Sequence, residues 1–190
     1  FVISLYNFDA NAPQMFRNAI REFANSGSDK MLIDLRGNPG GYLEASVDMA
    51  SWFLPTGTTV VTQAYQDSSK NVVDRSYGYN VFTDKLKLAI LMDGGSASAA
   101  EIFAGALSQD RHATLIGMKS FGKGSVQQLF PVTADTSLKI TVARWLTPNG
   151  TSISHNGLEP DIKVDITDKD RAAGKDPQLD RAVQYLLTGK

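Results

Sequence analysis

We predict one α/β domain from three features of the sequence. The 190 residues suit a single domain of ordinary size, with 42% hydrophobic residues to build a core and 21% charged residues for the surface. Two stretches, residues 31–53 and 86–107, each run from an apolar strand pattern through a glycine turn into a helical pattern. Helical patterns also follow the first strand and close the chain. Alternation of strands and helices in this way is typical of layered α/β folds.

The first third of the chain contains two strand-to-helix units. Apolar residues alternate over residues 1–6, which predicts a strand, and Asn11-Ala12-Pro13 begins an amphipathic helix that Ser26-Gly27 ends. Residues 31–36 predict a buried strand, and the turn Gly37-Asn38-Pro39-Gly40-Gly41 precedes a second helix through Ala45, Met49 and Phe53.

The rest of the chain adds strands and one more terminal helix. Residues 58–65 and 72–77 predict a hairpin, and residues 86–92, 113–117 and 137–145 predict further strands. Asp176-Pro177 begins the C-terminal helix, and we expect its buried side to carry Leu179, Ala182, Val183 and Leu186.

Charge and composition argue against several classes of function. The formal net charge is −1 and the sequence pI is about 6.1, so there is no excess of basic residues for a nucleic-acid backbone. No apolar run is long enough to span a bilayer. The chain has no cysteine, which excludes disulfides, thiolate nucleophiles and cysteine metal sites. We therefore expect no nucleic-acid partner and no membrane insertion.

Ser98 lies where the third helix begins. Residues 86–92 lead into Gly94-Gly95, and apolar residues recur at helical spacing from Ser98 onward. Unpaired N–H groups and the helix dipole at such an end stabilise a developing oxyanion, which suits a nucleophile. Ser98-Ala99-Ala100-Glu101 also fits a capping box, in which the serine hydroxyl only satisfies backbone donors. Local sequence leaves both interpretations open.

Lys123 is the second candidate, in the segment Ser120-Phe121-Gly122-Lys123-Gly124-Ser125. The flanking glycines permit close backbone approach, and alternation from Val126 predicts a strand after them. Such a lysine is ordinarily solvated, and as a general base it has to be sheltered from water so that it loses its proton near neutral pH. A phosphate-binding loop is disfavoured because the G-x-x-x-x-G-K-[ST] pattern is absent.

The two segments together resemble the carboxyl-terminal processing proteases, also called tail-specific proteases. The residues that carry the resemblance are Gly94-Gly95-Ser96-Ala97-Ser98-Ala99-Ala100-Glu101 and, 25 positions after Ser98, Lys123 within Phe121-Gly122-Lys123-Gly124-Ser125-Val126-Gln127. The resemblance implies a serine endopeptidase with a Ser/Lys dyad and a ClpP/crotonase-like α/β fold. It implies Ser98 rather than Ser96 as the nucleophile, Lys123 as the general base, and Gln127 as the residue that orients the amine.

The glycine turn after the second strand also matches this family. Asp34-Leu35-Arg36 with Asn38, Gly40 and Gly41 resembles its DLR-x-N-x-GG segment. The resemblance implies an oxyanion hole formed by the backbone N–H groups of Gly41 and Ala99. From the local pattern alone, the turn is equally well an ordinary α/β connection. We expect Asp34 and Arg36 to form a structural hydrogen bond or salt bridge.

Other catalytic chemistries have weaker support in the sequence. A Ser-His-Asp arrangement would use His112 or His155 with Asp110, Asp93 or Asp161, but both histidines lie in polar links. Two isolated histidines supply no metal-ligand cluster, so we expect no metal. Ser96, Ser120 and Ser125 are interpreted as turn or capping serines.

The resemblance spans residues 31–164, and we expect residues 1–190 to be a single catalytic core, a fragment of a longer chain. Family members carry a PDZ domain that captures the C-terminal tail of a polypeptide substrate, and no PDZ-like stretch is visible here. The chain is therefore an excised core or a form that recruits substrate otherwise. The resemblance implies the bacterial cell envelope or periplasm, although no signal segment is present, and it implies no cofactor. It leaves homo-oligomerisation open. The rival functions are a non-proteolytic binding module and a Ser-His hydrolase of small esters.

Overall fold

A computed structural model describes all 190 residues and gives nine strands and five α-helices. The strands are β1 (Val2–Ser4), β2 (Lys30–Asp34), β3 (Thr59–Tyr65), β4 (Val72–Arg75), β5 (Lys87–Met92), β6 (Thr114–Gly117), β7 (Ser125–Pro131), β8 (Ser137–Leu146) and β9 (Ile162–Lys163). The helices are α1 (Ala12–Ser26), α2 (Leu43–Ala50), α3 (Ala99–Asp110), α4 (Asp168–Ala172) and α5 (Pro177–Thr188), and Ser68–Lys70 forms a 3-10 turn.

The central layer is a parallel sheet of five strands in the order β1-β2-β5-β6-β9. Its inner strands are apolar on both faces because helices cover both. Met31, Ile33 and Ile90 belong to the large core that includes residues of α1, α2 and α3. Leu32, Ala89, Leu91 and Ile116 form a separate cluster with Ala182 and Leu186 of α5.

A second sheet is antiparallel, with the strand order β4-β3-β8-β7. Val61 of β3 and Trp145 of β8 pack into the same core as Phe103 of α3, which holds this sheet against the helical layer. The far part of the β7–β8 hairpin, residues 127–141, is exposed throughout. One of the two edge strands of this sheet is β7, which begins two residues after Lys123.

Adjacent parallel strands bring two distant loops together. Strands β2 and β5 pair in register, with Asp34 opposite Leu91, so both chains leave the sheet at the same edge. The loops that follow them, residues 35–42 and 93–98, therefore lie side by side. The crevice at the carboxyl ends of parallel strands is the usual place for a functional site in such folds.

Most of the predicted elements are confirmed within a few residues. Gly27 ends α1 in the left-handed conformation, and the Asp176 side chain caps α5 by accepting from Leu179 N–H at 3.0 Å. One expectation for α5 is wrong, because Val183 is 42% exposed while Gln178, Ala182 and Leu186 form the buried stripe. The four-residue spacing of that stripe turns Val183 towards the solvent. No helix combines the length and apolar character needed to cross a bilayer.

Candidate active site

Ser98 occupies a strained turn at the entry to α3. Its backbone has φ 55° and ψ −118°, whereas an ordinary N-cap residue is extended. Positive φ in a serine is uncommon and costs roughly 1–3 kcal/mol. Ser98 N–H donates to Glu101 Oε2 at 2.8 Å, as in a capping box, but the Ser98 hydroxyl makes no cap hydrogen bond. Capping alone therefore does not explain this conformation, which is of the kind that presents a nucleophile.

The other serine of the motif is structural, as expected. Ser96 is 2% exposed, and its hydroxyl donates to Leu35 O at 2.8 Å and accepts from Asp93 N–H at 3.0 Å. Ser98, by contrast, is half-buried, and its hydroxyl faces Glu101 N–H in the capping box without making a hydrogen bond of ordinary geometry. Of the two serines, only Ser98 has a hydroxyl that is free to react.

The glycine turn after β2 lies directly against the Ser98 turn. A methyl group on Gly40 would stand 2.7 Å from Ala97 O, 2.8 Å from Ser98 Cβ and 2.9 Å from Ala99 N. Gly40 has φ +98°, so glycine is required there both for conformation and for space. The turn therefore borders the candidate nucleophile.

Two backbone N–H groups at this contact are unused. Phe8 N–H donates to Gly40 O and Tyr42 N–H donates to Phe8 O, so the Gly41 N–H points away from Phe8. Neither Gly41 N–H nor Ala99 N–H donates a hydrogen bond within the chain. Ala99 is the first residue of α3, where no intrahelical acceptor exists. Both groups are therefore available to bind an oxyanion.

Asn38 organises this turn, a role that sequence reasoning missed. Its side chain is fully buried, donates to Leu5 O at 2.7 Å and accepts from Gly40 N–H at 2.9 Å. Its own carbonyl accepts from Ala97 N–H at 2.9 Å. A polar asparagine between glycines looks like a turn residue in sequence, and nothing in the pattern distinguishes it as the link between both loops.

The backbone of Lys123 lies close to that of Ser98. Glu101 Oε2 accepts from Ser98 N–H at 2.8 Å and from Lys123 N–H at 2.9 Å, so the two nitrogens are separated by less than the sum of these distances. Phe121 N–H also donates to Ser96 O at 3.0 Å. The fold thus brings together two segments that are 25 positions apart in sequence.

The side chain of Lys123 corrects one expectation. Lys123 is exposed and its amine makes no hydrogen bond or ion pair, so it is not sheltered from water in this structure. The physical reason is local: the glycines on both sides have no side chains to cover it, and the strand that follows is itself at a sheet edge. A hydrogen bond fixes the backbone of Lys123 beside Ser98, whereas the side chain that carries the amine is exposed to solvent.

Gln127 lies in β7 opposite an irregularity in β8, where Val142 is the extra residue. Val126 pairs with Ala143 and Gln127 pairs with Thr141, with a register shift between them. Such a β-bulge brings two successive residues towards one face, and bulges often redirect a side chain at active sites. Val126 packs against the large core, whereas the Gln127 side chain is exposed.

Asp34 and Arg36 form the expected salt bridge, with Nη2 2.7 Å from Oδ2 and Nε 3.0 Å from Oδ1. Arg36 also reaches Asp176 at 2.9 Å and Gln178 Oε1 at 3.2 Å. Hydrogen bonding to Asp34 raises the pKa of Arg36 above its usual range. This ion pair fixes α5 to the base of the glycine turn and takes no direct part in chemistry.

The histidines lie in very different places. His112 follows the C-terminal end of α3, which places it about 18 Å from Ser98 at 1.5 Å per residue, too far for a hydrogen bond. His155 is exposed, but its N–H donates to Gly122 O at 3.0 Å, so it borders the lysine loop. The Asp161 carboxylate accepts a hydrogen bond from Leu115 N–H. The Asp93 carboxylate accepts hydrogen bonds from Gly37 N–H and Gly95 N–H, so both acids act as structural acceptors. No group of three or more His, Asp or Glu side chains is arranged to hold a metal ion.

Comparison with known proteins shows similarity to carboxyl-terminal processing proteases. A carboxyl-terminal-processing protease of Synechocystis sp. is 37% identical over 190 residues, which cover 98% of this chain and 43% of that protein. A carboxy-terminal-processing protease of Bartonella bacilliformis is 41% identical over 148 residues, covering 78% of this chain and 34% of that protein. The solved photosystem II D1 C-terminal processing protease superposes with a TM-score of 0.79 at 30% identity, covering 86% of this chain and 42% of that one.

The chain therefore spans less than half the length of these relatives. The resemblance seen in the sequence motifs, and the layered α/β fold that it implies, are both confirmed. The family model described as "Peptidase family S41" matches residues 2–164, and the chain belongs to that family.

Proposed function

We propose that this chain is the catalytic core of a serine endopeptidase that cleaves polypeptides near their C-terminus. Ser98 is the nucleophile, Lys123 is the general base, and Gln127 orients the lysine amine. The observation that carries the proposal is the meeting of three loops at one point. An unpartnered serine hydroxyl, two unused N–H groups and the backbone of a lysine all lie beside the start of α3.

The reaction proceeds in two steps. Ser98 Oγ attacks the carbonyl carbon of the scissile peptide while the neutral Lys123 amine takes the hydroxyl proton. The tetrahedral intermediate collapses, the proton passes to the departing amine, and an acyl-enzyme remains. Water then attacks the ester, again giving its proton to Lys123, and releases the carboxylic acid and Ser98.

The oxyanion of each tetrahedral intermediate binds Gly41 and Ala99 N–H. Neither donor has to leave another acceptor, because neither is engaged within the chain. Removing one such donor typically costs about 3 kcal/mol of transition-state stabilisation. The dipole of α3 adds to this effect, because its positive end lies at Ala99.

Because Lys123 is exposed, the proposed mechanism requires its amine to move towards Ser98 and to be sheltered from water. The flexible four-carbon stem of Lys123 allows the amine to move, while its N–H remains bound to Glu101 beside Ser98. A bound polypeptide would exclude water from the amine, which is the environment that a lysine general base requires. The arrangement seen here corresponds to a resting form of the dyad.

The proposed substrate and compartment are based on the relatives. Their names describe processing at the carboxyl terminus, which supports a polypeptide tail as the substrate. The cell envelope is the proposed compartment, supported by the bacterial source of these relatives and the family resemblance. A homo-oligomer remains within the proposal, and light scattering of the purified chain measures it directly.

The test combines labelling and turnover. The wild-type chain and its variants are treated with a fluorophosphonate and with an internally quenched peptide. Ser98→Ala abolishes both signals, and Lys123→Ala lowers kcat by roughly 10²–10⁴-fold, as expected for loss of a general base. Lys123→Arg also fails, because a guanidinium stays protonated. Lys119→Ala is the matched control, since Lys119 is exposed and pairs with Glu159 instead.

Full turnover by Ser98→Ala or Lys123→Ala, with normal folding shown by circular dichroism, contradicts the dyad. The Ser-His alternative is distinguished in the same assay because His155 borders the lysine loop. Loss of activity in His155→Ala with activity retained in Lys123→Ala would favour the ester hydrolase. Absence of peptide cleavage by the wild type, with binding retained, would favour the non-proteolytic module.

A further inference from the structure

Glu101 is a buried acid that the mechanism above does not use. It lies one turn into α3, is 1% exposed, and is the only charged residue among the buried positions Ala99 to Leu107. A buried carboxylate is costly unless hydrogen bonds compensate it. No Lys, Arg or His forms an ion pair with Glu101, so the compensation comes from elsewhere.

Four donors supply that compensation, two at each oxygen. Oε2 accepts from Ser98 N–H at 2.8 Å and from Lys123 N–H at 2.9 Å. Oε1 accepts from Gly122 N–H at 2.7 Å and from the Ser120 hydroxyl at 2.5 Å. An ionised carboxylate offers about four acceptor sites, so its hydrogen-bonding capacity is filled.

Helix capping accounts for only one of these four bonds. The bond to Ser98 N–H is the capping bond, and the other three lead to residues 120–123. That segment has no regular secondary structure, so its N–H groups depend on Glu101, Ser96 O and Leu158 O for partners, and Glu101 binds two of the four. The same carboxylate thereby fixes the nucleophile turn and the lysine loop relative to each other.

A second capping box in this chain shows that a shorter acid suffices for the capping bond. At the start of α4, Asp170 accepts from Thr167 N–H at 3.0 Å from the corresponding helix position. An aspartate can therefore cap a helix here, but its side chain is one methylene shorter than that of Glu101. Glutamate at position 101 is needed for the reach to the lysine loop rather than for the cap.

We propose that Glu101 is the positioning residue of the Ser98–Lys123 dyad, and this inference rests on the proposed peptidase function. The carboxylate acts through Lys123: it holds the backbone of the lysine close enough for the amine to reach Ser98 Oγ. Misplacement of a catalytic group by about 1 Å costs on the order of 10²-fold in rate. Loss of the bridge is therefore expected to lower kcat with little change in KM.

Two variants of Glu101 separate positioning from capping. Glu101→Asp keeps an acid that can cap Ser98 N–H but cannot span to residues 122 and 123. Glu101→Gln keeps the length but replaces one acceptor oxygen by an NH₂ group that faces donors. We expect kcat to fall about 10²-fold in both. Ser46→Ala is the matched control, because its buried hydroxyl binds Ala99 O on the same helix turn and has no contact with the lysine loop.

The double variants show whether Glu101 acts through the lysine. In a Lys123→Ala background, Glu101→Asp should lower the residual rate by less than about threefold, because positions that act on one group are not additive. An equal loss in both backgrounds, or wild-type kcat in Glu101→Asp, would overturn the positioning role. Inactivity of Ser98→Ala and Lys123→Ala beside a fully active Glu101→Asp would leave the peptidase proposal standing and remove only this one.

Amide hydrogen exchange provides a readout that needs no activity. Protection of Gly122 and Lys123 N–H should fall in both Glu101 variants and stay unchanged in Ser46→Ala. Unchanged protection in a folded Glu101→Gln would show that other contacts hold the loop, and the proposal would be wrong even if the enzyme were slow.

Discussion

Substitution of Gly40 by alanine tests the contact between the glycine turn and Ser98. The added methyl group would meet three atoms at 2.7–2.9 Å, two of them backbone atoms and the third Ser98 Cβ. None of these can move away by a side-chain rotation. We expect overpacking to cost roughly 1–3 kcal/mol, and the φ of +98° to add roughly 1–2 kcal/mol of strain.

Gly37→Ala is the matched control within the same turn. Gly37 also has positive φ, at +67°, but a methyl group there has nothing within 4 Å. This variant carries the conformational strain alone, roughly 1–2 kcal/mol, and it keeps the N–H that donates to Asp93 Oδ1. The difference between the two variants isolates the close approach at Gly40.

Urea unfolding followed by tryptophan fluorescence measures the free energies, and peptide hydrolysis measures kcat. Gly40→Ala should lose about 1–3 kcal/mol more than Gly37→Ala. Its kcat should fall roughly 10²–10³-fold, since the methyl group displaces the oxyanion donors at Gly41 and Ala99, while Gly37→Ala stays close to wild type. Equal stability and equal kcat in the two variants would show that the turn does not pack on the nucleophile, and the oxyanion assignment would lose its basis.

Two further predictions concern stability. Arg36→Lys breaks the bidentate pair with Asp34 and the contact with Asp176, so we expect a loss of roughly 1–3 kcal/mol and faster amide exchange in α5; the exposed Arg171→Lys should change neither. Burial, followed by the hydrogen bond to Asp48, raises the pKa of Tyr79 to about 12 from an ordinary value of 10. The neutral phenol is thus favoured in the folded state, so its stabilising effect is complete below pH 10 and is lost as the pH rises towards 12. Urea midpoints at pH 9 and 11.5 should show this fall and a smaller one in Tyr79→Phe, and an unchanged difference in the variant would refute the assignment.

Local sequence predicted the fold well where one pattern dominates. The apolar runs that became β2 and β5 predicted strands, and the Asp-Pro and Ser-Gly signals placed the start of α5 and the end of α1 closely. The wrong prediction that Val183 is buried has its cause in the packing of α5. Val183 and Ala182 are adjacent on the helix, and which of them faces the sheet depends on the exact roll of α5 against Leu32 and Ala89. The rotation of α5 about its own axis is set by tertiary packing, so the local sequence does not determine it.

At the candidate site, too, the sequence predicted some residues and missed others whose contacts are distant in the chain. The family resemblance of the motifs selected Ser98, Lys123 and the glycine turn as candidates, where local patterns alone left their roles open. They could not reveal Asn38 or the bridge made by Glu101, since the partners of these side chains are distant in the sequence. One signal was available: Glu101 is a lone carboxylate on an otherwise apolar helix face, which a capping bond alone does not explain.

Hydrogen bonds fix the backbones at the candidate site, whereas the lysine amine is free to move. Hydrogen bonds of Asn38 and Glu101 hold the backbones of the glycine turn, Ser98 and Lys123 together, so the proposed oxyanion donors and the proposed nucleophile are already adjacent. None of the 190 residues covers the lysine amine. A general base of this type needs a dry environment, so the covering surface has to come from the substrate or from additional protein. Activity would then depend on occupancy of the site, because the amine is sheltered from water only when a polypeptide lies over it.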